Sequence, residues 1–236
     1  VELATTTADT NYVYALYGAN NNGLYGVYRT TNGGTSWTQR HGASPNLLDW
    51  STNGSGSGGQ AWYDLAIAVS PLDKDVVLTG GVNVWRSNNG GSSFALSGHW
   101  YGGGGASFVH ADHHWMIFKP GTNAVYAGCD GGVYKSASSG MNNSWVSRNI
   151  GLSITQYYKI GTTEADTTLT IAGAQDNGTH LNDNGWDKVG GGDGMDCAIS
   201  AADGNTMYRS IYYGDFDKST NGGITFNAPF NLPPSG

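Results

Sequence analysis

The 236-residue chain sets 11 Lys and Arg against 18 Asp and Glu, for a formal net charge of -7. Its cations form no cluster, which argues against nucleic acid as a partner and leaves a neutral polymer, a cation or another protein. Charged residues supply 12% of positions, aromatics another 12%, and Gly occupies 38, a balance that excludes a disordered polymer and describes an all-β protein with frequent tight turns. No apolar run approaches the ~18 residues of a membrane-spanning helix.

Residues 3–40 read as a first unit of short strands. Its strand Val27-Tyr28-Arg29 runs into residues 30–37, Thr-Thr-Asn-Gly-Gly-Thr-Ser-Trp. There Asn32 with Gly33 and Gly34 supplies the positive φ of a tight hairpin, and Trp37 closes the turn. A long connection, 38–62, follows, in which the Gly- and Ser-rich stretch 53–59 reads as a flexible loop. Residues 63–97 repeat the pattern, with Asp64 at the head, the strand Val84-Trp85-Arg86, and a turn carrying Asn89, Gly91 and Phe94. The connection 95–112 combines His99, Trp100 and Tyr101 with four glycines. That composition suits a sugar-stacking surface and equally a plug packed between units.

Residues 113–148 form a third unit, with Asp130 at a strand tip and a looser turn ending on Trp145. Units 157–189 and 197–230 complete the series, the first with a degenerate turn at Asn184-Gly185-Trp186 and the second with Asn221, Gly223 and Phe226. The closing aromatics Trp37, Phe94, Trp145, Trp186 and Phe226 stand 57, 51, 41 and 40 residues apart, the period of β-propeller blades. Each closing ring is expected to bury roughly 150–250 Å² between neighbouring blades. The predicted fold is therefore an all-β propeller of four-stranded antiparallel blades, about five of them in this chain. The opening at Val1 inside a strand and the loop-like close at 233–236 are expected to join further domains of a longer polypeptide. Cys129 and Cys197, each in an apolar run, read as buried thiols, with a disulfide left open.

The turns resemble the Asp-box, S-x-D-x-G-x-[ST]-[WF], of sialidases, sortilin-type receptors and xyloglucanase-type glycoside hydrolases. Asn32, Asn89 and Asn221 stand where that pattern has Asp, so the turn is expected to persist without its carboxylate, as architecture. Over nearly the whole chain, the segments 109–114 (Val-His-Ala-Asp-His-His), 128–136, 151–158, 172–179 and 191–195 resemble large secreted propellers of Bacteroidota, which commonly carry a type IX secretion signal. That resemblance implies a secreted or cell-surface location.

In a propeller, the long loops 38–62 and 95–112 share one face with the tips near 128–132, 173–178 and 212–217. Ligand-binding candidates on that face are Asp64, Trp100, Tyr101, Asp130, Asp176 and Asp193. His110, Asp112 and His114 alternate at the mouth of an inner strand. Period-two spacing would put all three on one side, suited to a transition metal, whereas the acidic rim suits calcium or a glycosidase acid and base. No cofactor is otherwise indicated. Two functions are expected: a binding or scaffold module recognising polysaccharide or a cell-surface protein, and, as the alternative, a xyloglucanase-like glycoside hydrolase. A sialidase is disfavoured, because the arginines have positions explained by the repeat.

Overall fold

The computed structural model describes residues 1–152 and 155–228. The expected C-terminal loop 233–236, the last two residues of the fifth unit, and Ser153 and Ile154 of the 151–158 segment lie outside the described residues. The chain divides into two compact units, Val1–Leu152 and Ser153–Gly236.

The first unit contains three antiparallel meanders. In the first, β1 (Glu2–Thr5), β2 (Val13–Gly18), β3 (Leu24–Thr30) and β4 (Thr38–His41) pair in chain order. The second runs β5 (Ala66–Val69), β6 (Val77–Gly80), β7 (Val84–Ser87) and β8 (Ala95–His99), with β9 (Ser107–Phe108) added parallel to β8. The third is β10 (His113–Phe118), β11 (Val125–Cys129), β12 (Gly132–Ser136) and β13 (Trp145–Ser147). The second unit holds β14 (Tyr157–Thr162), β15 (Thr170–Ala174), β16 (Gly178–Asn182) and β17 (Trp186–Lys188), then β18 (Cys197–Ile199), β19 (Met207–Ser210) and β20 (Phe216–Ser219). A bridge from Lys218 to Asn227 flanks β20. No α-helix occurs among the described residues. Sheets of this kind are β-propeller blades, and the fold is all-β.

Each core lies between consecutive sheets. Strand β6 has all four residues buried because both its faces are covered. Alternation sends Val77 into the core shared with Leu16 and Val27, and Leu78 into the core shared with Val84, Met116 and Val125. In the second unit, Ile171 and Leu181 pack against Ile199 and Met207.

The three Asn turns repeat one hydrogen-bond pattern. In the second blade Ser87 Oγ donates to Asn89 Oδ1 (2.9 Å) and accepts from Gly91 N (2.9 Å). Asn89 Oδ1 also accepts from Ser93 N (3.0 Å), while its Nδ2 donates to Ser93 Oγ (2.8 Å). The same bonds recur around Asn32 and Asn221. Gly34, Gly91 and Gly223 have φ of +94°, +78° and +83°, a region closed to most side chains.

The closing aromatics do not all bury. Trp145 does, donating from Nε1 to Ser97 Oγ of the preceding sheet (2.9 Å), and Phe94 packs on His41 of its predecessor. Trp37 and Trp186 remain 43% and 53% exposed, which corrects the expectation of uniform inter-blade burial. Both belong to the first sheet of their unit, with no preceding sheet inside that unit to cover them. Cys197 is buried and Cys129 half-buried, and the two are not joined in a disulfide.

Candidate functional site

The connection between the first two sheets is a folded loop, not the flexible one its glycines suggest. Buried Asn46 organises it: Oδ1 accepts from Leu24 N (2.8 Å) and Leu48 N (3.2 Å), and Nδ2 donates to the carbonyls of Gly56 (3.0 Å) and Gly58 (2.8 Å). Buried Asp49 accepts from Trp50 N and Gly56 N, both at 2.8 Å, and from the Ser51 hydroxyl. Two buried side chains thus satisfy the loop's own backbone, which is why a run of small residues stays ordered.

This loop displays large aromatics to solvent. Trp62 is 75% exposed and Trp50 is exposed with it, while Trp100 and Tyr101 are exposed on the later connection that follows β8. The Trp50 carbonyl accepts from Trp100 Nε1 (3.3 Å) and lies 3.2 Å from His99 Nε2. Tyr101 stands edge-on to Trp100, with ring centroids 4.7 Å apart. Trp100 and Tyr101 therefore form an open surface beside buried His99.

The acidic cluster begins two residues after Trp62, at Asp64. Asp64 is 1% exposed, and Gln60 Nε2 donates to its Oδ2 (3.2 Å) and to Asp112. Burial, first, and the neighbouring Asp112 carboxyl push the Asp64 pKa up to about 8, against the hydrogen bond from Gln60. Asp64 is thus a neutral acid at pH 7, bonded to Asp112. Asp130 is held at both oxygens, by the Tyr63 hydroxyl (2.6 Å) and by His114 Nε2 (2.7 Å). Carboxylate oxygens of Asp112 and Asp130 lie within 4.8 Å of each other.

His110, Asp112 and His114 do not share a strand face. Asp112 has φ +66°, the strand starts only at His113, and its register shifts between His113 and Trp115. These breaks end the alternation that would have aligned the three side chains. His114 turns to Asp130, and the ring of His110 lies against Gly131. His113 is the enclosed imidazole: Nδ1 bonds Gly81 O (2.7 Å), Nε2 has no partner among the described residues, and burial drives its pKa down to about 4.

In the second unit Asp176 and Asp193 come together. Asp193 Oδ1 accepts from Asp176 N (2.7 Å), and Asp176 has φ +57° at the β15–β16 turn. Four of the five arginines are occupied elsewhere. Arg29 pairs with Asp75 (3.3 Å) and Arg209 with Asp217 (2.9 Å), while Arg40 and Arg86 donate to the Gly90 and Ser139 carbonyls at 2.8 Å. Sequence reading named the carboxylates and Trp100 but missed Gln60, Trp62, Tyr63 and His113. The Gln60-Ala61-Trp62-Tyr63-Asp64 run before an apolar strand was the available signal.

No protein-family model matches the chain, and no curated protein matches it. Among solved structures it is similar to a GH74 enzyme of Niastella koreensis, at 16% identity and TM-score 0.44 over 96% of this chain and 37% of that one. It is similar also to the GH74 xyloglucanase of Xanthomonas campestris, at 18% identity and TM-score 0.44 over 96% and 37%. YCF48 of Cyanidioschyzon merolae matches at 13% identity and TM-score 0.37 over 99% and 86%. The chain spans little more than a third of the length of those two GH74 structures. No helix of the described residues is long and apolar enough to cross a membrane.

Proposed function

We propose that the chain is a recognition module acting outside the cell, binding glycan or protein through Trp50, Trp62, Trp100 and Tyr101. One observation carries this reading: Trp50 and Trp62 are solvent-exposed on a loop that Asn46 and Asp49 hold in one conformation, and Trp100, exposed with Tyr101 on the 95–112 connection, donates from Nε1 to the Trp50 carbonyl. Rigid exposed aromatics contribute stacking area at little entropic cost, as recognition surfaces require. The kinship of the turns to the Asp-box and of the motifs to secreted propellers supports the location.

Hydrolysis is the lesser reading. Two carboxyls flanking a glycosidic bond stand about 5–5.5 Å or 6.5–9.5 Å apart, whereas Asp64 and Asp112 are hydrogen-bonded and Asp64 is enclosed. Asp112 and Asp130 remain as the pair such an enzyme would use, and Asp176 and Asp193 as ligand contacts of the second unit. A glycan array with a reducing-end assay separates the readings. Binding without new reducing ends supports recognition, and release of reducing ends abolished by Asp130→Asn would replace it with hydrolysis.

A further inference from the structure

A pocket of about 550 Å³ opens beside the β2–β3 hairpin. Asn21, Tyr25, Tyr28, Gln39 and Ser57 line it, and no Asp, Glu, Lys, Arg or His does. It shares no residue with the indole surface.

Regular pairing would split its tyrosines, since residues 25 and 28 differ in parity and alternate strand residues face opposite ways. The ladder is interrupted here. Tyr17 pairs with Gly26 and Gly18 with Leu24, so Tyr25 is the extra residue of a β-bulge. Bulges re-aim side chains and are retained where that serves a purpose. This one gathers three rings. Tyr25 stacks on Tyr28 at 6.2 Å and 15°, and Tyr17 meets Tyr28 edge-on at 5.3 Å. Tyr25 nonetheless stays 57% exposed, so the bulge presents a ring to solvent and does not complete a core.

Polar groups surround the rings. A Cβ on Gly26 would meet Gln39 Nε2 at 2.8 Å and His41 O at 2.9 Å, so glycine allows the Gln39 amide to lie against the β3 backbone. That amide bonds no other described residue. Asn21 donates to the carbonyl of Ser57, itself an exposed residue.

We propose that this pocket binds an uncharged saccharide. A pyranose ring offers an apolar C–H face to the tyrosines and a rim of hydroxyls to amide and hydroxyl partners. A charged ligand would lose hydration here with no counter-charge in the lining. The test is titration of the ¹⁵N-labelled chain with neutral β-1,4-glucan, mannan and xylan oligosaccharides, with sialyllactose, and with oligoproline. The Gln39 side-chain amide and the Gly26 backbone amide are followed. A neutral oligosaccharide is expected to shift both signals. Tyr25→Ala should then weaken binding at least about tenfold, with Tyr25→Phe retaining it and Trp62→Ala leaving these shifts unchanged. The proposal is overturned if no neutral oligosaccharide moves either signal at about 10 mM, if Tyr25→Ala binds as tightly as the unaltered chain, or if sialyllactose or oligoproline is preferred. Trp62→Ala reports separately on the indole surface, so either site can fail alone.

Discussion

Asp64 is set by enclosure against another carboxyl, and that fixes the sign of its contribution to stability. Its folded pKa near 8 stands above the roughly 3.9 of an exposed aspartate. Between about pH 4 and pH 8 the folded chain therefore holds a proton that the unfolded chain has released, and stability from this group falls as pH rises across that interval. Asp64→Asn removes the titration while keeping a donor toward Asp112. Urea denaturation at pH 5 and pH 8 should show the variant gaining on the parent with rising pH by more than about 1.4 kcal/mol, the value of one pKa unit. Parallel profiles would refute the raised Asp64 pKa. At this scale the sequence was half legible. Asp64, Asp112 and Asp130 were visible as an acidic set, but Gln60 reaches Asp112 across 52 residues and Tyr63 reaches Asp130 across 67, which spacing does not report.

Among the elements, the Asn turns follow from local chemistry. Asn89 makes its bonds within four residues, so its motif could be read directly from the chain. Asn89→Ala should cost about 1–2 kcal/mol of unfolding free energy through its lost hydrogen bonds. Asn89→Asp should cost far less, because the Ser93 hydroxyl can donate to a carboxylate where it now accepts. Gly91→Ala should also cost about 1 kcal/mol or more, since φ is +78° there. The closing aromatics divide by neighbour, which no repeat pattern states. Trp145→Ala, emptying a buried site, should cost about 3–5 kcal/mol, and Trp37→Ala under about 1 kcal/mol. Equal costs in thermal or urea unfolding would contradict the packing described. The 53–59 loop was misread for a related reason. Its own residues are small and polar, and its order comes from Asn46 and Asp49 earlier in the connection.

For the whole molecule, composition and a period of about 40 residues carried the fold, because each blade is a local meander whose strands lie close in sequence. The site was less legible, since it is assembled from connections that belong to no repeat. With a net charge of -7 and Arg29, Arg40, Arg86 and Arg209 tied to carbonyls and carboxylates, aromatic surface is the proposed means of contact. The proposed contact is made by the indoles of Trp50 and Trp62 on the pinned loop and of Trp100 on the connection after β8. The most direct test is calorimetric titration of the strongest array ligand into the parent chain and into Trp62→Ala and Trp100→Ala. The account predicts that each variant binds about thirtyfold more weakly, a loss of about 2 kcal/mol typical of a buried tryptophan anchor, with unfolding midpoints unchanged. Unaltered affinity in both variants would contradict it.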